Sequence, residues 1–297
     1  MIIVQLMGGL GNQMFQYAAG KALASRRQQA LAFDFGYLLN PPAGVTRREL
    51  ELAHFPVAVT PAAPGDIARL LGAPWTRPRR SMVRKILDRL ERVSQGCLIE
   101  DRGPESFESL VSGQGEAYLS GFWQSEKVFA DISDEIRSDF KIDTLGGVVN
   151  DELLRQIEGT DSVGVHVRRG DYASDQATKG HHGLCSVHYY QSACLKIAEI
   201  LPDATFFVFS DEPEWCKDNL DLGVPLQIVG VGDIRRPIDD LRLMSRCSHN
   251  IIANSSFSWW AAWLNSNPEK RVVAPLRWLA QGDPYEAVRI PAGWIRI

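Results

Sequence analysis

Short apolar runs that end in polar residues recur along the chain, and a helical pattern or a loop follows each of them. The first run covers residues 2–6, apolar side chains at helical spacing follow from Asn12 onward, and residues 30–35 predict a second strand. Apolar runs this short are typical of strands that are buried on both faces. A strand, a helix and a further strand build a parallel sheet, so the amino-terminal part is predicted to be α/β.

The same rhythm returns after a linker at residues 143–151. Strands are predicted at "DSVGVHV", "ATFFVFS", "HNIIA" and "KRVVA", and each runs into a polar loop or a helix start. Ligands of open parallel sheets bind at the carboxyl ends of the strands. The pattern therefore predicts two α/β domains, residues 1–150 and residues 151–297, around a cleft.

Residues 41–105 interrupt this rhythm with clustered prolines and basic residues. Residues 82–93 carry apolar side chains at helical spacing, which predicts an amphipathic helix with a basic face. Such a helix can dock on the protein with its basic face in solvent, or it can contact a membrane surface or an acidic partner. Both interpretations stay open.

Composition narrows the class of protein. The chain has 297 residues, of which 45% are hydrophobic, and a net charge of -4 gives no electrostatic case for nucleic acid. The five cysteines are scattered without a C-x-x-C pair, which favours a reducing compartment. No leader pattern and no apolar run of about 18 residues is present, so we expect a cytoplasmic protein, with peripheral contact at the inner membrane as an option.

The segment "GVHVRRGDY" carries the strongest candidate chemistry. Alternation along a strand places His166 and Arg168 on one face and Arg169 on the other. Two adjacent arginines at a strand end need anionic partners, and a guanidinium group can bind two phosphate oxygens at once. A salt bridge between Arg169 and Asp171 that holds the loop is the alternative for Arg169.

Two further strand ends carry polar side chains. The Asp211 carboxylate, next to Ser210, can accept hydrogen bonds from N1 and N2 of guanine, or it can cap the following helix. Ser255 and Ser256 stand at a predicted helix start, which is a ready anion site, and Phe257 can pack on a base or a sugar. The tryptophans of this helix are predicted to be core residues: Trp259, Trp260 and Trp263.

The chain shows no convincing pattern of metal ligands. His181, His182, Cys185 and His188 have a zinc-like spacing, but a structural zinc site usually uses two compact ligand pairs. A loop followed by a helix is favoured there. No two aspartates stand two residues apart, so the D-x-D pattern that holds a metal in many nucleotide-sugar enzymes is missing. We expect a bound diphosphate to be held by arginine, backbone amides and a helix terminus.

Four segments together resemble the bacterial α-1,2-fucosyltransferases of glycosyltransferase family 11. They are "GGLGNQMFQYA", "HVRRGDY", "FSDEPEW" and "LMSRCSHNIIANSSFSWWAAWL", in that order between residues 8 and 264. The resemblance implies a GT-B-like fold of two Rossmann-like domains, with the carboxyl-terminal domain holding GDP-fucose and the amino-terminal domain on the acceptor side. It also implies an inverting transfer of L-fucose to the 2-hydroxyl of a terminal β-galactoside, without a metal or a cofactor.

The resemblance also implies roles for individual residues. Arg168 would hold the β-phosphate, His166 would line the same pocket, and Asp211 would contact guanine. Asp171 is the nearest carboxylate for the role of general base, or it only orients the arginines. The other implied donor contacts are Gly11 and Asn12 from the first domain and Ser210, Ser255, Ser256 and Phe257 from the second.

The acceptor cannot be identified from these residues. A galactose-terminated oligosaccharide, such as lactose or a lipopolysaccharide O-antigen, is the expected class, and residues 41–105 are expected to shape that side. Two other functions stay open at this point. One is transfer from a different GDP-sugar, and the other is binding of a nucleotide sugar or a glycan without catalysis.

Overall fold

The structure is a computed structural model that describes residues 1–42, 44–71, 98–142, 148–170, 183–231, 236–280, 282–283 and 285–297. The chain forms two compact units. The first consists of Met1–Lys141 and Ala287–Arg289, and the second of Ile142–Glu286 and Ile290–Ile297. The predicted amphipathic helix of residues 82–93 lies outside the described residues. The predicted roles of the two domains stay predictions.

The described part of the first unit is built on a parallel sheet of four strands in the order β2-β1-β4-β3. The strands are β1 (Ile2–Gln5), β2 (Leu31–Asp34), β3 (Leu98–Glu100) and β4 (Ala117–Ser120). The helices are α1 (Leu10–Arg27), α2 (Gly36–Leu39), α3 (Pro64–Leu71), α4 (Ser106–Ser112) and α5 (Ser133–Asp139). Short 3₁₀ turns cover Glu51–His54, Glu126–Val128 and Ala130–Ile132.

Helix α1 packs its apolar residues into the core of this unit. Met14 and Phe15 are fully or almost fully buried, and the Tyr17 ring stacks on Phe33 of β2 with the ring centroids 5.9 Å apart. The helix ends at Gln28, whose positive φ of 51° is a common way to terminate a helix. The apolar spacing of the sequence is thus explained by a helix that is buried against the sheet.

The described part of the second unit is built on a parallel sheet of six strands in the order β10-β9-β8-β5-β6-β7. The strands are β5 (Ser162–Val167), β6 (Thr205–Ser210), β7 (Leu226–Ile228), β8 (His249–Ile251), β9 (Val272–Ala274) and β10 (Ile295–Arg296). The helices are α6 (Val148–Glu158), α7 (Val187–Ala198), α8 (Pro213–Asn219), α9 (Pro237–Arg246) and α10 (Ser256–Leu264).

Strand β5 lies inside this sheet, and all six of its residues are buried. It pairs with β6 on one side and β8 on the other, so that Val163 is opposite Phe206 and His249. Burial on both faces explains a sequence that is almost continuously apolar. The three tryptophans of α10 are buried as predicted: Trp259, Trp260 and Trp263.

These elements confirm the predicted α/β class, with parallel sheets in both halves as expected of a GT-B-like protein. The strands predicted in the first 35 residues and the four predicted in the second half are all present. Strands β3, β4, β7 and β10 were not predicted from the sequence pattern.

None of the helices in the described ranges is both long and apolar enough to cross a membrane.

Candidate active site

A cavity of about 340 Å³ opens at the carboxyl ends of strands β5 and β6 in the second unit. His166 and Arg168 line it from the end of β5, Ser210 and Asp211 from the end of β6, and Phe257 from the first turn of α10. The other described lining residues are Phe209, Pro213, Val229, Gly230, Pro237 and Asp240. Five of the predicted site residues therefore meet in one cavity, at the edge of the sheet where ligands of parallel sheets bind.

The register of the two strands explains how Arg168 and Asp211 meet. Strands β5 and β6 are parallel, and Val167 is opposite Ser210, so the next residue of each strand emerges beside the other. Arg168 Nη1 lies 2.9 Å from Asp211 Oδ2, and the backbone N–H of Arg169 donates to Asp211 Oδ1 at 2.9 Å. Both oxygens of the carboxylate thus accept from the end of β5.

Gly170 permits this contact. A Cβ atom at Gly170 would lie 2.4 Å from Asp211 Oδ2, which is closer than two such atoms can approach. A side chain there would push the carboxylate away from the Arg168 guanidinium. The glycine of the "RRGD" segment is therefore explained by the close approach of another side chain.

The Arg169 side chain contacts different residues from those that the Arg168 side chain contacts. Its Nε donates to Glu212 Oε2 at 3.0 Å, and its guanidinium carbon lies 3.4 Å from the centroid of the Trp215 ring. Its predicted partner, Asp171, lies outside the described residues. Of the two arginines, Arg168 is the one that lines the cavity, in agreement with the alternation expected from the strand.

His166 is a neutral imidazole at the wall of the cavity. Its side chain is 5% exposed, and Nδ1 has no hydrogen-bond partner among the described residues. Burial, together with the charge of Arg168, lowers the pKa of His166 to about 3. The centroid of its ring is 5.3 Å from that of Phe257. A neutral ring with an unused nitrogen can form a hydrogen bond with a bound ligand.

The amino terminus of α10 offers backbone donors beside the same cavity. Ser255 is the N-cap residue with extended backbone, and its side chain makes no capping hydrogen bond. The first backbone N–H groups of a helix have no acceptor within the helix, and the helix dipole favours an anion there. Phe257 lines the cavity, whereas neither Ser255 nor Ser256 is among its described lining residues. Both serines stay predicted contacts through this helix start.

Asn254, which precedes this start, has a structural role. Its Nδ2 donates to the carbonyl oxygens of Gly183 at 3.3 Å and Trp278 at 3.1 Å. Its Oδ1 accepts from Cys185 Sγ at 3.5 Å. The side chain thus ties three loops of the second unit together.

The histidines and the cysteine with zinc-like spacing are only partly described. His181 and His182 lie outside the described residues. His188 Nδ1 is 2.9 Å from Ser192 Oγ, one helical turn further along α7. The pKa of the Cys185 thiol is raised to about 11, mainly by burial.

In the first unit, Asn12 lies in the first turn of α1, beside the buried Gly11. Asn12 Oδ1 accepts a hydrogen bond from Gln124 Nε2 at 2.7 Å. The Asn12 side chain lies against Gly8, where a Cβ atom would be 2.5 Å from Asn12 Nδ2. The bend at Gly8 and Gly9, which we call the glycine turn, thus makes room for this carboxamide.

Gln13, the neighbour of Asn12, is fully buried and holds the glycine turn. Its Nε2 donates to the carbonyl oxygens of Gly8 at 2.9 Å and Glu49 at 2.8 Å. Its Oε1 accepts from the backbone N–H of Glu51 at 2.9 Å. The two amides of the "GNQ" segment therefore differ in role, since both ends of the Gln13 amide are hydrogen-bonded within the protein, whereas the Asn12 NH₂ group has no acceptor among the described residues.

Asp240 is a cavity residue that sequence reasoning missed. It stands in the first turn of α9, directly after Asp239. The Asp239 carboxylate is 5% exposed and accepts two hydrogen bonds from Arg236. Acidic residues are common at helix starts because of the helix dipole, so this pair gave no functional signal. The two aspartates differ in that Asp240 lines the cavity, whereas Asp239 is not among its described lining residues.

Comparison of the sequence with known proteins identifies a family that it matches. The sequence profile described as Glycosyl transferase family 11 matches residues 105–294. The chain is 31% identical over 317 residues to an alpha-1,2-colitosyltransferase of Escherichia coli, covering 100% of this chain and 98% of the relative. It is 30% identical to the O-antigen biosynthesis glycosyltransferase WbnK of Escherichia coli, covering 93% and 94%.

Similarity to other proteins is more limited. The galactoside alpha-(1,2)-fucosyltransferase 1 of Leontocebus fuscicollis is 32% identical over 154 residues, which cover 49% of this chain and 42% of the relative. A crystal structure of the NodZ alpha-1,6-fucosyltransferase soaked with GDP-fucose is 18% identical, with a TM-score of 0.49. It covers 90% of this chain and 96% of that one.

Proposed function

Because the chain belongs to glycosyltransferase family 11, we propose that it transfers L-fucose from GDP-fucose to the 2-hydroxyl of a terminal β-galactoside. Membership of the family confirms the resemblance of the four motifs. The names of two relatives specify a 1,2 linkage, one for colitose and one for fucose. These names support the proposed position of attack.

The arrangement of Arg168 and Asp211 in the cavity carries this proposal. A guanidinium group that a carboxylate holds in place, at the carboxyl ends of parallel strands, suits the diphosphate of a nucleotide sugar. His166 adds a neutral nitrogen, and the start of α10 adds backbone N–H groups. Together these groups can bind a diphosphate without a metal ion.

The mechanism follows from where charge develops. Cleavage of the bond between fucose C1 and the phosphate oxygen leaves negative charge on GDP and positive character on the sugar ring. Arg168 and the amides at the start of α10 would stabilise the charge on the leaving phosphate, and this is the largest effect available to such a site. Attack by the acceptor from the opposite face of the sugar inverts the configuration at C1.

The acceptor hydroxyl must also lose its proton, either to a carboxylate or late in the step. Asp171 stays the proposed base, because it follows Arg168 and Arg169 closely in the sequence. Its alternative role, orientation of an arginine, is weaker in our proposal, because Arg168 and Arg169 already contact Asp211 and Glu212.

We further infer that the guanine base contacts Asp211 or Asp240. Both carboxylates line the cavity. The oxygens of Asp211 also accept from Arg168 and from the backbone N–H of Arg169, so Asp211 orients Arg168 as well. Either carboxylate can accept from N1 and N2 of the base.

The experiment is incubation of the protein with GDP-fucose and lactose in the presence of EDTA. We expect a fucosylated product, whose α-1,2 linkage can be assigned by NMR. Absence of product across a panel of β-galactosides, with protein that is folded by circular dichroism, would refute the proposal. Calorimetric binding of GDP without turnover would instead indicate a nucleotide-sugar-binding protein.

Transfer of colitose is the second candidate, since the Escherichia coli colitosyltransferase aligns with the whole chain. Colitose is fucose without the 3-hydroxyl group, so the same site can in principle accept either donor. Competition between equal concentrations of GDP-fucose and GDP-colitose gives the ratio of their kcat/KM values. The same assay with GDP-mannose tests for a different sugar class.

A further inference from the structure

Three polar side chains in the first unit form a chain of hydrogen bonds that ends at Asn12. Arg289 is 5% exposed and belongs to Ala287–Arg289, the segment that returns to the first unit after the second. Its Nη1 donates to Gln124 Oε1. Gln124 Nε2 in turn donates to Asn12 Oδ1 at 2.7 Å.

The order of donors and acceptors in this chain fixes the orientation of both amides. A guanidinium group has donors only, so Gln124 must turn its oxygen toward Arg289. The NH₂ group of Gln124 then faces Asn12, which must present its own oxygen. The NH₂ group of Asn12 is thereby directed away from Gln124, and it has no acceptor among the described residues.

Arg289, at the other end of this chain of hydrogen bonds, lies beside a carboxylate that is itself held by backbone hydrogen bonds. Asp101, which interacts electrostatically with Arg289, has its pKa raised by burial. Its Oδ2 accepts from the backbone N–H groups of Phe122 at 3.0 Å and Trp123 at 2.8 Å. The segment that carries Gln124 is thus fixed to the end of β3, and Arg289 lies beside it.

A second contact joins the same two segments. Ser125 Oγ donates to the carbonyl oxygen of Val288 at 2.7 Å. Val288 and Arg289 are therefore bound to consecutive residues after β4, Ser125 and Gln124. The position of Arg289 is determined by the backbone around it as well as by its charge.

The glycine turn completes the arrangement at the Asn12 end. Gly8 has a φ of +77°, and a Cβ atom there would lie 2.5 Å from Asn12 Nδ2. The absence of a side chain at Gly8 leaves the Asn12 NH₂ group its space. The donor lies at the carboxyl end of β1, the edge of a parallel sheet where ligands bind.

We propose that Arg289 is a positioning residue that, through Gln124, holds Asn12 as a hydrogen-bond donor toward an anionic ligand at the carboxyl end of β1. That this ligand takes part in sugar transfer rests on the proposed function. Rotated by half a turn, the Asn12 amide would present its oxygen and repel the same ligand. Arg289 thereby determines whether Asn12 donates or accepts a hydrogen bond at this position.

The test is Gln124→Glu. The carboxylate still accepts from Arg289, so the buried cation keeps its partner and the fold should be retained. It has no N–H group for Asn12 Oδ1, so Asn12 must turn its NH₂ group inward to donate to it. We expect kcat for sugar transfer to fall about tenfold, the value of roughly one hydrogen bond. The melting temperature and the acceptor KM should stay close to those of the original protein.

Two further variants distinguish a positioning role of Gln124 from a general effect of the added negative charge. Gln227→Glu makes the same chemical change on exposed β7, where Gln227 Nε2 donates to Gln156 Oε1 at 3.1 Å, and it should leave kcat unchanged. In a protein that already carries Asn12→Ala, adding Gln124→Glu should lower kcat no further. An equal tenfold loss in that background would overturn the proposal.

A spectroscopic measurement keeps this proposal distinct from the proposed function. With ¹⁵N-labelled asparagine, the side-chain NH₂ signal of Asn12 can be assigned by its loss in Asn12→Asp. We expect Gln124→Glu to shift that signal downfield as it gains a carboxylate acceptor. An unchanged signal overturns the role of Arg289 and Gln124. Failure of the original protein to transfer any sugar overturns the proposed function and leaves the NMR result valid.

Discussion

Arg168 and Asp211 form an ion pair, with Nη1 and Oδ2 2.9 Å apart, at the ends of two neighbouring parallel strands. Each side chain is 25% exposed, and ion pairs open to solvent contribute little to stability. The value of this pair lies in orientation. It holds a guanidinium group at the wall of the cavity, in position to bind an anion, and the four predictions below concern residues at or beside this wall.

Replacement of Arg168 should impair catalysis far more than folding. We expect Arg168→Ala to lose more than about 2 kcal/mol of transition-state stabilisation, or about thirtyfold in kcat/KM for the donor. Arg168→Lys should recover only part, because an ammonium group cannot bind two oxygens in the same plane. Arg246→Ala, which removes an exposed pair with Glu158, is the matched control. A near-normal rate for Arg168→Ala would disprove the placement of the phosphate.

Gly170→Ala should lower activity with little loss of stability. The added Cβ atom would meet the end of the Asp211 side chain, which can rotate away at small cost in the free energy of unfolding. Rotation breaks the contact with Arg168, so we expect at least about tenfold lower kcat/KM, the loss of roughly one charge-assisted hydrogen bond. The measurements are a melting curve and steady-state kinetics. If activity is unchanged, Asp211 does not orient Arg168.

The guanine contact can be assigned with two nucleotides. Inosine diphosphate lacks the 2-amino group of GDP, so the original protein should bind it more weakly. Asp211→Asn or Asp240→Asn, whichever removes the carboxylate that contacts the base, should shrink this preference by about tenfold or more, because a hydrogen bond to a charged acceptor is lost. The other replacement should weaken GDP and inosine diphosphate equally. Calorimetry with both nucleotides decides, and an unchanged preference in both variants would refute the contact.

His166 should make stability depend on pH. Its pKa in the folded protein is lowered to about 3, mainly by burial, against about 6.5 in the unfolded chain. Below pH 6.5 the unfolded chain therefore binds a proton that the folded protein does not. Stability should fall as pH decreases through this window, by up to about 1.4 kcal/mol per pH unit.

The corresponding experiment is urea unfolding between pH 4 and pH 7 of the original protein and of His166→Gln. The variant should show the shallower dependence on pH. His249, whose pKa is also lowered, is common to both proteins and cancels in the difference. Equal slopes would show that His166 is accessible to protons in the folded protein.

Much of the site could be predicted because it follows from local patterns. A buried strand appears in the sequence as an apolar run, and the carboxyl ends of parallel strands lie at the same edge of the sheet. The residues after "GVHV" and "FVFS" were therefore expected to lie together, and they do. The partner of Asp211 could not be predicted, because it depends on the register of β5 against β6.

Other parts of the molecule depend on contacts that no local pattern contains. Gln124 and Arg289 are 165 residues apart in the sequence, and nothing near either residue indicates the other. Asp240 resembles Asp239 in sequence, but Asp240 lines the cavity and Asp239 is not among its described lining residues. The Asn-Gln pair of the glycine turn was distinctive, but only the hydrogen bonds of Gln13 show which amide is structural.

The return of Ala287–Arg289 to the first unit has a consequence for biosynthesis. A ribosome synthesises Met1–Lys141 before Ile142–Glu286 of the second unit, whose translation takes roughly 7 to 30 s at about 5–20 residues per second. Throughout that interval the nascent first unit lacks the cation that faces Asp101 and the donor that orients Gln124. The side-chain amide of Asn12 is therefore oriented only after Arg289 has been translated, so a translation product that ends before Arg289 would carry Asn12 and Gln124 without the cation that orients them.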